Sequence, residues 1–280
     1  MRFKGLIAGL VILMMFCSSV VVSQTTEDEF VAKYLQKMET KHIKKLAWVS
    51  GNFNFNRINR DNDYNKFANY ESRNFTNGDI SWLGDAQSLG FDLGVVFKER
   101  FSWSIGAEYW LPLGEELSGT YYYEPIGADI ENPQSELKVF GISTSLQYYF
   151  YNHPKITGEL NNLALRVGGS VGFYQASWDL WPEYSNLNLA TNTPTITNTT
   201  YKDNAPGVSL NLGLDYPVKF YNMVLGIDFG YLYLNFDQVS WYNSIDQEII
   251  ASYSGDADGR VDLNLSGFVG KIQVKRFFSW

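Results

Sequence analysis

Large apolar and small polar residues alternate along much of the chain, most cleanly at Val208-Ser209-Leu210-Asn211-Leu212-Gly213-Leu214-Asp215-Tyr216. Side chains of a β-strand point alternately to opposite faces, so such a stretch has one apolar and one polar face. The same alternation marks strands over 46–56, 87–97, 101–111, 137–150, 163–177, 222–236 and 261–277. In the third of these, Phe101, Trp103, Ile105, Ala107 and Tyr109 oppose Ser102, Ser104, Gly106 and Glu108. In the last, Leu263 and Leu265 share one face but Ile272 and Val274 share the other, which predicts either a phase slip at a glycine-assisted bulge near Ser266-Gly267 or a strand that is misplaced here.

A barrel that carries a ligand through water would be apolar inside and richly charged outside. Here the polar face is mostly Gly, Ser and Asn. Small residues suit the cramped interior of an eight-stranded barrel, which leaves the apolar face to meet lipid. Connections alternate in length, with short joins at 98–100, 151–162 and 217–221 and long ones at 57–86, 112–136, 178–207 and 237–260. That alternation suits a barrel in an outer membrane with its long loops outside the cell and both ends in the periplasm. Aromatics near the strand ends are expected to form two interfacial girdles: Tyr109 and Trp110, Tyr148 to Tyr151, Trp178 and Trp181, Phe220 and Tyr221, Phe277 and Phe278.

Residues 1–23 read as a signal peptide, with Arg2 and Lys4 before an apolar run from Gly5 to Phe16. Bulky Phe16 before Cys17 argues against lipid attachment there, and Cys17 is the only cysteine. Residues 24–45 are expected to form a periplasmic leader helix. Its core, 26–45, starts on the capping pattern Thr26-Glu27-Asp28-Glu29, carries Phe30, Tyr34 and Met38 on one stripe, and ends in Lys41, Lys44 and Lys45. Loss of Arg2 and Lys4 takes the net charge from −8 to −10, which argues against nucleic acid as a partner. The aromatic fraction of 16% and the 24 glycines suit a barrel over 46–280 better than an ordinary soluble enzyme.

On these residues the region 46–280 resembles the small eight-stranded outer-membrane barrels of the OmpA, OmpX and OmpW type. The terminal Phe278-Ser279-Trp280, with Ile272 and Val274 upstream, resembles the aromatic signal by which such proteins are assembled, although Arg276 places a charge on the same face. The resemblance implies an all-β, eight-stranded antiparallel transmembrane barrel with a short N-terminal helix. It also implies outer-membrane lipids, lipopolysaccharide and the barrel-assembly machinery as partners, with the chain a monomer.

The polar face carries isolated ionisable residues: Asp92, Glu108, Arg166, Asp215 and Asp228. Charges inside a narrow barrel must be paired or hydrated. They form either an internal polar plug, in which Arg166 bridges the acids, or a narrow cation-preferring water path. Enzymatic outer-membrane barrels use a histidine near the extracellular rim. This chain has His42 in the leader and His153 in a periplasmic turn, so no catalytic acid–histidine–serine set assembles at the outer rim. No cofactor is expected. Loop two carries Glu115, Glu116, Glu124, Asp129 and Glu131, and Asp256-Ala257-Asp258-Gly259 is a fragment of calcium-loop spacing that an Asp-Gly turn explains equally. The expectation is a non-enzymatic barrel with a structural or surface-binding role through its long loops. The alternative is a narrow channel for ions or small solutes.

Overall fold

The computed structural model describes residues 46–71, 75–77, 82–98, 100–113, 120–123, 128–131, 134–154, 160, 162–188, 193–218, 223–237, 239–242, 248–250 and 261–279. The expected signal peptide and leader helix, His42, Trp280 and the Asp256-Asp258 segment lie outside these residues.

The strands are β1 (Leu46–Ile58), β2 (Asp85–Phe97), β3 (Phe101–Leu113), β4 (Gln134–Tyr151), β5 (Ala164–Asn188), β6 (Thr193–Val218), β7 (Met223–Phe236) and β8 (Gly267–Ser279). Each pairs antiparallel with the next, and β8 also pairs with β1, so the ladder closes on itself. Closure removes the unpaired edges that an open sheet would expose. The fold is an all-β, eight-stranded antiparallel barrel.

Its wall follows the alternation of the sequence. Leu210, Phe268 and Phe229 point outward and are 71%, 70% and 68% exposed. Ser50, Asn52, Ser88, Ser104 and Asp228 point inward and are buried. Inward glycines let large side chains cross the narrow lumen. A methyl group on Gly94 would overlap the Trp48 indole, and one on Gly141 the Tyr174 ring.

The first residue of β1, the last of β8 and the short connections share one end of the barrel, here the terminal end. Between β2 and β3 the chain reverses over 98–100 with Lys98 at φ 48°, and Arg100 N–H donates to the Lys98 carbonyl at 2.7 Å. After β4, Asn152 takes φ 54°, a left-handed conformation that asparagine tolerates better than most residues.

The longer connections leave the opposite, loop end. Between β1 and β2 lies α1 (Asp63–Glu71), whose N-terminus is capped by Asn62, with Oδ1 accepting from Asn65 N–H at 2.8 Å. Short strands at Phe75–Asn77, Thr120–Tyr123 and Ala128–Glu131 form a separate three-stranded sheet. Ser240–Tyr242 pairs with Glu248–Ile250 and touches β6 through Ser240 and Lys202.

Four expectations need correction. The segment 178–207, read as a long loop, is mostly strand: β5 and β6 stay paired to Asn188 and Thr193 as a long hairpin. Backbone pairing across this ladder runs from Trp178↔Tyr201 to Asn188↔Thr193, with register shifts after Leu180 and Glu183. The expected slip near Ser266-Gly267 does not occur, because one register runs through Asn235↔Asn264 and Leu232↔Gly267. What changes there is the lining: Leu263 and Leu265 point inward at the loop end, where the interior is apolar. Several presumed girdle aromatics also point inward, since neighbours in a strand face opposite ways. Trp110, Trp178, Tyr149 and Phe277 are buried, whereas Tyr109, Phe150, Tyr151 and Phe278 are exposed. Finally, α1 lies in a connection where no helix was expected.

Candidate functional site

The barrel interior is stacked in layers. At the terminal end, Leu46, Trp48, Val96, Tyr149, Leu160 and Phe277 belong to one apolar cluster. Trp48 Nε1 donates to Ser102 Oγ at 2.9 Å, and Lys275 Nζ lies 5.2 Å from the Trp48 ring centroid.

Above it sits a charged layer in which two cations meet two carboxylates. Arg166 Nε donates to Asp215 Oδ1 at 3.2 Å, and Nη2 donates to Asp228 Oδ2 at 3.0 Å. Arg166 Nη1 is 2.8 Å from Asp228 Oδ1, an ion pair whose angle misses that of a hydrogen bond. Lys275 Nζ donates to both Asp215 oxygens at 3.1 and 3.0 Å. Tyr149 Oη donates to Asp215 at 2.9 Å and Gln273 Nε2 to Asp228 at 2.6 Å. The layer is neutral overall, which is the condition for holding charges away from water.

The middle of the barrel is polar and partly open. Lys271 Nζ lies 2.8 Å from Asp92 Oδ2, which also accepts from Asn52 Nδ2 at 2.8 Å and Ser50 Oγ at 3.3 Å. Glu108 Oε2 accepts from Asn54 Nδ2 at 3.0 Å and Ser88 Oγ at 3.4 Å. Asn52, Asn54, Asp92, Glu108 and Lys271 border a cavity of about 90 Å³ that Gln147 and Tyr174 also line.

The loop end closes again with an apolar layer. Trp110, Leu137, Trp178, Leu234 and Leu263 pack there with Tyr64, Phe67 and Ala68 from the buried face of α1. The ring centroids of Tyr64 and Phe67 lie 5.5 and 5.2 Å from that of Trp178. Ser135 Oγ joins the two elements, 2.7 Å from Tyr64 Oη and accepting from Trp178 Nε1 at 2.9 Å. Asn65 ties the helix to the start of β2: its Oδ1 accepts from Leu83 N–H at 2.7 Å, and its Nδ2 donates to the carbonyls of Arg60 and Leu83 at 2.9 and 3.0 Å. Burial pushes the Tyr64 phenol up to about 12, partly offset by the bond to Ser135.

Asp92, Glu108, Arg166, Asp215 and Asp228 all face inward, but they do not form one cluster. Arg166 holds Asp215 and Asp228, whereas Lys271 serves Asp92 and amide and hydroxyl groups serve Glu108. Sequence reasoning missed Tyr149, Lys271, Gln273 and Lys275. The last three were readable, since outward Ile272 and Val274 place 271, 273 and 275 inward.

The charged layer obstructs the lumen. The Arg166 and Asp215 side chains are 0% exposed. Gly94, Ser102, Gln147, Gly213, Gly226 and Gln273, which share the layer or adjoin it, are buried as well.

On the outer wall toward the loop end, Lys138 Nζ lies 2.8 Å from Glu136 and 3.1 Å from Asp179, and Thr200 Oγ1 donates to Asp179 at 2.6 Å. Partial burial works to raise the Asp179 pKa, but the bonds from Thr200 and Lys138 outweigh it and hold the carboxyl below its ordinary range. At the terminal end Phe278 is exposed, with the Arg276 guanidinium 5.5 Å from its ring, and His153 Nδ1 lies 3.2 Å from the Pro154 carbonyl oxygen.

No family model and no curated protein matches the chain. Among solved structures it is similar to a major outer membrane protein from Thermus thermophilus, at 14% identity over 85% of this chain and 100% of that one, TM-score 0.43. It is similar to the outer membrane protein OprG from Pseudomonas aeruginosa, at 14% identity over 84% and 96%, TM-score 0.39. It is also similar to the outer membrane protease OmpT from Escherichia coli, at 13% identity over 86% and 99%, TM-score 0.35.

Proposed function

We propose that the chain is a bacterial outer-membrane protein, a closed and non-conducting barrel that acts through its loop-end hairpins rather than by transport or catalysis. An apolar outer wall around a polar, self-satisfied interior is the arrangement lipid demands, because every backbone group must find its partner within the barrel. With short turns in the periplasm, the long hairpin of β5 and β6 and the separate three-stranded sheet stand outside the cell as the surface offered to a partner. His153 then lies at the periplasmic end, away from any outer catalytic rim. Phe278, with Trp280, is offered to the assembly machinery.

The observation that carries this reading is closure at two levels, by the neutral charged layer around Arg166 and by the apolar layer under α1. A solute path must breach both. Planar-bilayer recordings of the refolded protein are expected to show no discrete steps. Reproducible steps, reduced by Glu108→Gln and Asp92→Asn, would transfer the function to a narrow channel through the central cavity.

A further inference from the structure

We propose that the central cavity of the barrel holds one monovalent alkali cation, bound to the Glu108 carboxylate and the Asn54 amide oxygen. The site lies between the charged layer and the apolar layer, and it rests on the reading that these two layers close the lumen.

Charge is balanced differently in the two polar layers. Around Arg166 two cations meet two carboxylates, and the sum is zero. At the central cavity Asp92 and Glu108 face a single cation among the described residues, Lys271. Lys271 Nζ is held at Asp92, 2.8 Å away. Glu108 is left with neutral donors: Asn54 Nδ2 at 3.0 Å, Ser88 Oγ at 3.4 Å and the Tyr174 hydroxyl. These bonds stabilise a carboxylate without cancelling its charge. Confined between two closed layers, that charge calls for a counter-ion.

The groups that border the cavity fit such an ion. Asn52, Asn54, Gln147 and Asn211 each present a buried side-chain oxygen with no hydrogen-bond partner. Among the described residues, no buried donor bordering the cavity is left unpartnered in the same way. Asn54 is only 4% exposed, and its Nδ2 is spent on Glu108 and Ser88. Its Oδ1 therefore sits beside the Glu108 carboxylate with no donor of its own. A surplus of oxygens suits a hard cation, which exchanges hydration water for carboxylate and carbonyl oxygens. Water alone would satisfy the amides but leave the charge of Glu108 in place.

The same balance selects the charge of the ion. One surplus negative charge is cancelled by a monovalent cation, whereas a divalent one would leave the layer positive. The ligands agree, because no group of three or more His, Cys, Asp or Glu side chains fit to hold a metal occurs among the described residues. One carboxylate with neutral amide oxygens is an alkali-ion set. The cavity of about 90 Å³ has room for the ion and about two waters that complete its shell.

The test is to refold the protein in non-ionic detergent with rubidium chloride, transfer it to choline chloride, and count retained rubidium by elemental mass spectrometry. One rubidium per barrel is expected, because the ion enters as the barrel closes and both layers delay its escape. The thermal midpoint should also be higher in rubidium chloride than in choline chloride of equal strength, since an ion that binds only the folded state stabilises it. Glu108→Gln keeps the shape and removes the charge, so retention should fall about tenfold or more and the salt difference should vanish. Asp92→Asn should do the same without removing a ligand, because it releases Lys271 to balance Glu108. A heat-dependent gel shift identifies the folded barrel in each variant, and the count is read from that fraction. Retained rubidium or a salt-specific midpoint, lost in both variants, supports the site. Neither effect in the parent would mean that a proton neutralises the layer, and an effect that survives either variant would mean an ion held elsewhere. Either result overturns the site and leaves closure standing. Conducting steps in the bilayer recording would instead remove closure, and with it the slow escape, but not the salt difference.

Discussion

Arg166 Nη1 and Asp228 Oδ1 lie 2.8 Å apart inside the barrel, with side chains 0% and 5% exposed. Asp215 also pairs with Arg166, and Lys275 supplies the second positive charge for the two carboxylates. Removing one member of such a set leaves a buried charge without compensation, which costs about 3–5 kcal/mol. Arg166→Met is therefore expected to lower the urea midpoint of the refolded protein strongly. Adding Asp228→Asn should restore much of the loss, because Lys275 and Asp215 remain a neutral pair. A single variant as stable as the parent would mean the layer is hydrated rather than closed.

The strands and the inward charges were legible in sequence because period-two alternation is a local signal, and the closed ladder keeps it except at irregularities such as the one between Tyr149 and Tyr151. The change of lining along the lumen was not. Leu263 and Leu265 look like a slipped face until α1 is seen to bring Tyr64, Phe67 and Ala68 over the same end. That helix had its own local signals, an Asn62 cap and apolar residues at 64, 67 and 68, but nine residues is too short for periodicity to outweigh a polar loop composition. The pairing of Arg166 with Asp215 and Asp228, rather than with Asp92, depends on register between β5, β6 and β7. No single strand encodes that.

Asn65 is predicted to control the seating of α1 rather than the barrel. Its side chain supplies partners for both backbone groups of Leu83, a buried residue just before β2. Asn65→Ala strands these groups, at about 1–3 kcal/mol for each buried unsatisfied group. The expected result is faster hydrogen exchange over residues 60–84 with the β1–β8 ladder still protected. Exchange rising uniformly around the barrel would show that α1 and the wall unfold as one unit.

The Asp179 carboxyl is held below its ordinary range, so its bonds to Thr200 and Lys138 contribute stability above about pH 4, the free-carboxylate range, and lose it as pH falls through the lowered value. Asp179 is partly solvated, and exposed pairs of this kind contribute only about 0–1 kcal/mol. Asp179→Asn should lower the thermal midpoint slightly at neutral pH, with the difference shrinking on acidification and in high salt. A gap that widens in acid would have the wrong sign for a carboxylate stabilised in its charged form.

Tyr64 gives the opposite dependence at the alkaline end. Its phenol is pushed up to about 12 by burial against Trp178, whereas a free tyrosine ionises near 10. The folded state therefore favours the protonated phenol, and the stability this provides is complete below about pH 10 and lost as pH rises toward about 12. Two pH units correspond to about 2–3 kcal/mol, acting on the layer that seals the loop end. Tyr64→Phe removes the titration but also the contact with Ser135, so it should cost about 1 kcal/mol at neutral pH. The measurement is the difference in thermal midpoint between parent and variant across pH 8–12, in which the ionisation of the other tyrosines cancels. That difference should favour the parent at pH 8 and reverse near the upper limit. A constant offset would mean that solvent already reaches Tyr64, and that α1 does not seal the barrel.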